Sequence, residues 1–153
     1  MNFTALICLL SIFLTGLVAG FFSISKLGYS PVKQKVGAKI YLTFEQATGK
    51  TLGRLMPILM ILAALTTAWM TVAAYGSQPA FLFCLVSLVL MAVAIIATLI
   101  LNVPVNKRVA KADPDKPYAA WKTDLDRWEI GHTIRAIAFL LAFVCQLLAI
   151  FYS

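Results

Sequence analysis

Four long apolar runs divide the chain, at roughly residues 3–25, 55–75, 80–101 and 132–152. Two stretches dense in Lys and Arg and one short polar turn separate them. Each run is close to the ~20 residues that a helix, rising 1.5 Å per residue, needs to cross a bilayer core. The runs leave no room for a separate soluble domain. The expectation is an all-α chain, residues 1–153 forming a single integral membrane domain built as a four-transmembrane-helix bundle. The turn Tyr75-Gly76-Ser77-Gln78-Pro79 is short, so the second and third runs should form an antiparallel hairpin. In the first connection Val32, Val36, Ile40, Phe44 and Ala47 recur at helical spacing, with Lys33, Lys35, Lys39 and Glu45 off that stripe. Ser30-Pro31 offers an N-cap and a proline for the first helical position, and Gly49 a stop. This connection reads as an amphipathic interfacial helix, either a lid over a cavity or a linker resting on lipid. Ala112 to Pro117 reads as a turn. Pro117 can open a last helix running unbroken through Trp121 and Trp128, an extended N-terminal part to the fourth span, with Gly131 as its weak point.

Composition strengthens the membrane reading: 61% of residues are hydrophobic and 12% charged, mean hydropathy is +0.90, and soluble domains carry about 25% charged residues. A net charge of +7 would suit nucleic acid, but its placement does not. Lys26, Lys33, Lys35, Lys39, Lys50 and Arg54 lie between the first two runs. Lys107, Arg108, Lys111, Lys116, Lys122 and Arg127 lie between the last two, and Arg135 falls inside the fourth. By the positive-inside rule both basic connections are cytoplasmic and both termini outside, as in an integral protein of a bacterial cytoplasmic membrane. Expected partners are membrane lipids, anionic ones at the basic rim, with a hydrophobic small molecule, further copies of the chain or a larger complex compatible; nucleic acid is not expected. The first run reads as a retained helix, since no Lys or Arg precedes it and no clean small-x-small site follows. Gly16-x-x-x-Gly20 reads as ordinary close packing.

Several chemistries fail on counting. Cys8, Cys84 and Cys145 sit singly inside runs, without a CxxC, and read as buried inert thiols. One histidine excludes bis-histidine haem within the chain, and a metal site lacks ligands at one depth, so the cofactor is unknown and none is required. The six acids read as connection or rim residues, against a proton-coupled transporter.

What remains is Asn102-Val103-Pro104-Val105-Asn106 paired with Trp121 to Arg135. Pro104 lacks the N–H that would reach the carbonyl of Ile100, and a freed carbonyl at membrane depth needs another donor. On a helix Trp121, Leu125, Trp128, His132 and Arg135 fall at steps of four and three and share one face. Arg135 lies beyond the apolar boundary, where an arginine costs roughly 2.5–3.5 kcal/mol and normally faces a partner or cavity. Its candidate partners are the Asn102 and Asn106 amides, the Ile100 carbonyl, a lipid phosphate or an anionic ligand. Enzyme chemistry can be assigned on these residues, with His132 and Arg135 catalytic: the first a general base, the second stabilising an enolate. Asn102 and Asn106 would orient a substrate carbonyl, and Trp121 and Trp128 supply a stacking wall. The competing account is structural, the polar groups tying helices together and the tryptophans anchoring the interface.

At these residues the chain resembles the DUF1772, or anthrone oxygenase-like, family of small membrane proteins. The carriers are Asn102-x-Pro104-x-Asn106, Trp121, and Trp128-x-x-x-His132-x-x-Arg135, with Gly16 to Gly20 and Arg54-Leu-Met-Pro57 as further matches. The resemblance implies a four-helix membrane bundle. It also implies oxidation of a hydrophobic aromatic or quinone-type substrate by O₂ at the cytoplasmic face, as fungal members convert anthrones into anthraquinones, with no established flavin or metal. The alternative is a non-enzymatic membrane protein that binds a lipid or small ligand, or a small subunit of a membrane complex.

Overall fold

The computed structural model describes residues 3–152, and within them the chain is helical with no strand. Met1, Asn2 and Ser153, at the chain ends that the charge rule places outside, lie beyond the described residues. The helices are α1 (Phe3–Lys35), α2 (Ala38–Gly49), α3 (Leu52–Ala73), α4 (Gln78–Val109) and α5 (Trp121–Phe151). All but α2 are long and apolar enough to cross a membrane, and the chain is an integral membrane protein. The spanning helices close a ring, with α1 and α4 each packed on both α3 and α5.

Small and large residues sort as lipid demands. Ala19, Ala63, Ala94 and Ala142 meet at the centre with Val18, Phe22, Met60, Met91 and Phe139; short side chains let backbones approach closely. Phe13, Leu65, Val89 and Leu141 stay exposed on the outside, an apolar surface of the kind that faces lipid in a membrane protein. A Cβ at Gly16 would sit 2.9 Å from Phe143 Cε2, whereas one at Gly20 would meet nothing within 4 Å. The small-residue spacing therefore serves one contact, between α1 and α5.

Both α1 and α4 run past their apolar stretch through a π-helical turn, at Ser25–Tyr29 and Thr98–Asn102. The two turns share one construction. Ser30 N–H bonds to Ser25 O and Val103 N–H to Thr98 O, and in each case the next residue is a proline, Pro31 or Pro104. Such single wide turns are frequent at functional sites. Ser30 is thus no helix start: its backbone stays helical, and the chain breaks instead at Val36 and Gly37, where the backbone is extended. That break shifts the helical phase of α2. Ile40 and Phe44 of the expected stripe are exposed, and Tyr41 and Leu42 are buried instead. They pack on Val105, Val109 and Leu125, so α2 is fastened to the lysine-rich end of the bundle. Gln46 Nε2 reinforces this, donating to the carbonyls of Val109 and Ala112 at 2.9 and 2.8 Å.

The last helix begins at Trp121 rather than Pro117, and it is unbroken at Gly131. Gly131 marks the closest approach of α5 to α4: a Cβ there would overlap Asn102 Oδ1 and lie 2.9 Å from Leu101 Cβ. The third and fourth spans also exchange a bidentate ion pair, Arg108 Nε to Asp124 Oδ2 at 2.7 Å and Nη2 to Oδ1 at 2.5 Å, with Tyr118 donating to Asp124 at 3.0 Å.

Candidate functional site

The face of α5 expected to carry chemistry does turn inward. His132 is 1% and Arg135 7% exposed. The helix opposite is α1, running antiparallel, and the two make a ladder. Phe22 meets the His132 ring edge-on at 5.8 Å and lies 4.9 Å from the Arg135 guanidinium carbon. One turn along, Lys26 Nζ is 2.8 Å from Glu129 Oε2. Further out Gln34 Nε2 donates to Asp126 at 3.2 Å and Lys122 donates to Gln34 Oε1.

Both asparagines bond to Trp128. Asn102 Nδ2 donates to the Trp128 carbonyl at 2.8 Å, and Asn106 Oδ1 accepts from Trp128 Nε1 at 2.9 Å. Both therefore clamp Trp128, one by its backbone and one by its indole. The carbonyl of Ile100 finds its donor in Arg127 Nη2, at 3.0 Å. Arg135 takes neither partner. Its Nη2 lies 3.3 Å from His132 Nδ1, and its charge rests near the Phe22 and Trp128 rings, 5.3 Å from the latter. Among the described residues it forms no ion pair with a carboxylate.

Trp128 is the hub. The His132 ring lies 4.9 Å away at 34°, and Lys33 Nζ sits 3.9 Å from its centroid. Trp121 is elsewhere: fourteen residues from Arg135 along α5, it is about 20 Å away along the axis, packed against Tyr41 at 5.9 Å. Arg54 is exposed.

Two residues central to this cluster, Lys33 and Glu129, were given no site role by the sequence. Lys33 is 6% exposed, bonded to Glu45 at 2.9 Å and lying 3.8 Å from Glu129. Glu129 and Asp124 are each 7% exposed, so both acids are buried within the assembly. With Lys26 these form an alternating chain, Lys26–Glu129–Lys33–Glu45. A signal for Glu129 was present: it falls four residues after Leu125 and three before His132, on the face already marked.

A hydrogen bond to Nδ1 fixes the imidazole, because guanidinium can only donate. Nδ1 is the acceptor, and in the neutral ring Nε2 then carries the proton. His132 Nε2, Arg135 Nε, Glu129 Oε1, Asn102 Oδ1 and Ser30 Oγ are all buried without a hydrogen-bond partner. Unmatched polar atoms at this density cost stability. Beside them a shallow groove of about 250 Å³ is lined by Lys26, Ser30, Pro31, Gln34 and Glu129. A smaller apolar pocket of about 90 Å³ lies between α1 and α2, lined by Tyr29, Val32, Lys33 and Phe44 among others. Neither is lined by His132, Arg135, Asn102 or Asn106.

Neither a curated protein nor a solved structure matches this chain. A family model, described as anthrone oxygenase, matches residues 44–145, two thirds of the length, and takes in both asparagines and α5 from Trp121 through Arg135. A four-span helical membrane protein that matches this model over that length belongs to the anthrone oxygenase family.

Proposed function

We propose that the protein oxidises a flat, hydrophobic aromatic substrate of the anthrone or quinone type with O₂, at the cytoplasmic face of the membrane. The observation that carries this reading is Arg135: a guanidinium buried at the apolar boundary without a carboxylate partner. A fixed, desolvated positive charge is what an enolate needs when a C–H bond beside an aromatic ketone ionises. His132, its Nδ1 occupied by Arg135, acts as a second donor through Nε2 rather than as the base. Trp128, held by Asn102 and Asn106, supplies the flat wall. Overall a methylene becomes a ketone, with one O₂ consumed and one water released.

The test is turnover of anthrone by the full chain in lipid nanodiscs, following anthraquinone absorbance and O₂ uptake together. One O₂ per anthraquinone is expected, with His132→Leu lowering kcat by about 10²-fold, the scale for losing one donor to an oxyanion. Wild-type protein that leaves the spontaneous oxidation rate unchanged would remove the proposal.

A further inference from the structure

We infer that Glu129 is the proton acceptor of this oxidation, working from the groove that Lys26, Ser30 and Gln34 line. The inference rests on the reaction proposed above. Arg135 and His132 can donate to the substrate's oxygen, yet with Nδ1 already bonded neither can take its proton. Glu129, one turn before His132 on α5, is the carboxylate that lines the groove; His132 and Arg135 do not line it, so a substrate that reaches both displaces part of its wall past Glu129. Its two oxygens are treated differently. Oε2 is held by Lys26 at 2.8 Å, which fixes the side chain. Oε1 is buried and has no hydrogen-bond partner, with Lys33 Nζ standing off at 3.8 Å, so its lone pairs take no hydrogen bond and are met by a substrate that moves in from the groove.

Spacing supports the pairing of roles. Glu129 and His132 are three residues apart on α5, about 4.5 Å of helical rise. In an anthrone the carbonyl oxygen and the acidic methylene lie at opposite ends of one six-membered ring, about 4 Å apart by standard bond lengths. A substrate with its oxygen at the level of His132 and Arg135 therefore has its methylene at the level of Glu129. Ser30, 4% exposed with a buried and unbonded Oγ, lines the same groove.

The step balances. The methylene C–H bond breaks, its proton forms an O–H bond on Glu129 Oε1, and the electron pair passes through the ring to the carbonyl oxygen. O₂ takes up that pair at the same carbon, forming a C–O bond and a peroxide anion, which recovers the proton from Glu129. Loss of water from the hydroperoxide, using the carbon's remaining hydrogen, leaves the second ketone and the free carboxylate.

Proton removal can be read without O₂, as exchange of anthrone methylene hydrogens for deuterium in anaerobic D₂O, followed by mass spectrometry. Wild-type protein in nanodiscs is expected to accelerate exchange. Glu129→Gln should return it to background, a fall of at least about 10²-fold, the scale for losing a general base, with anthraquinone formation falling in parallel. If Glu129→Gln is not recovered folded, Glu129→Asp decides. It keeps the charge beside Lys26 and Lys33 but withdraws the carboxylate by one methylene, and at least a tenfold loss is expected. Exchange at the wild-type rate in either folded variant overturns the assignment and leaves the oxidation standing. Wild-type protein that neither exchanges nor oxidises anthrone overturns both.

Discussion

Two of the polar clusters buried in this bundle are built on opposite terms. The one among the spans is neutral. Gln146 Nε2, from α5, contacts Thr15 of α1 at 3.1 Å, Thr67 of α3 at 2.8 Å and Ser87 of α4 at 3.2 Å, so all four spanning helices meet at one amide. Thr15 and Thr67 also return their own protons to Ser11 O at 2.7 Å and Ala63 O at 2.6 Å. Its one unmatched atom is Gln146 Oε1. The cluster at the lysine-rich end joins cations, carboxylates and an imidazole on α1, α2 and α5, and leaves Glu129, His132 and Arg135 each with an open atom. Hydroxyls and amides that close on themselves hold helices together at modest cost. Charges left partly unmatched beside a groove are a poor way to gain stability and a good way to meet a substrate.

The sharpest way to break this contrast is to remove one charge from the second cluster. Arg135→Met should lower kcat by about 10²–10³-fold while the thermal midpoint in detergent holds or rises, because a buried charge that forms no ion pair among the described residues is gone. A large drop in the midpoint would make Arg135 a structural residue. Next comes the seam between α4 and α5. Gly131→Ala places a methyl against Asn102 Oδ1, and Asn102 cannot yield without giving up its bond to the Trp128 carbonyl. Overpacking of this kind costs roughly 1–3 kcal/mol. Denaturation should show that loss and a shift in Trp128 emission, and a midpoint at or above wild type would contradict it.

Smaller effects belong to the neutral cluster and the rim. Gln146→Leu should cost about 1 kcal/mol, since interhelical bonds in membranes average about 0.6 and reach about 1.7. Its turnover should equal wild type, and loss of activity without loss of stability would erase the division between the clusters. Tyr118, outside the spans, is pushed up to about 12 by burial first and by its bond to Asp124 second. An acid whose pKa is raised on folding favours the protonated native state. Its contribution is whole below the ordinary tyrosine value near 10 and fades as pH climbs from there towards 12. Thermal midpoints of wild type should therefore fall more steeply over that interval than those of Tyr118→Phe.

Much of this architecture was legible in the chain. The spans show as apolar runs, and the inward face of α5 shows in the spacing of Trp128, His132 and Arg135. Residues whose meaning depends on a neighbouring helix were not legible. Lys26 and Lys33 count equally well as topology charges, and nothing in their spacing says that one finds Glu129 and the other an indole face. Glu129 looked like a rim acid because the apolar run begins three residues later. Asn102 and Asn106 stand on the correct face, but their choice of Trp128 over Arg135 follows from how closely Gly131 lets α4 and α5 approach. Ser30-Pro31 misled for a specific reason. The same pair of residues can start a helix or follow a wide turn inside one, and only the five-residue bond back to Ser25 separates these cases.

That wide turn has a consequence for how the chain tolerates change. A single π turn holds one residue more than an α turn at almost the same height and closes through nearly the same angle, so it takes up that residue without rotating the helix beyond it. Deleting any one residue from Ser25–Tyr29 would let this turn close as an ordinary α turn, leaving the span intact and Lys33 close to its place over the Trp128 ring, whereas the same deletion in a regular α-helix would swing Ser30–Lys35 by about 100°. The wide turn is thus a slack point, where a change of one residue need not reach the site.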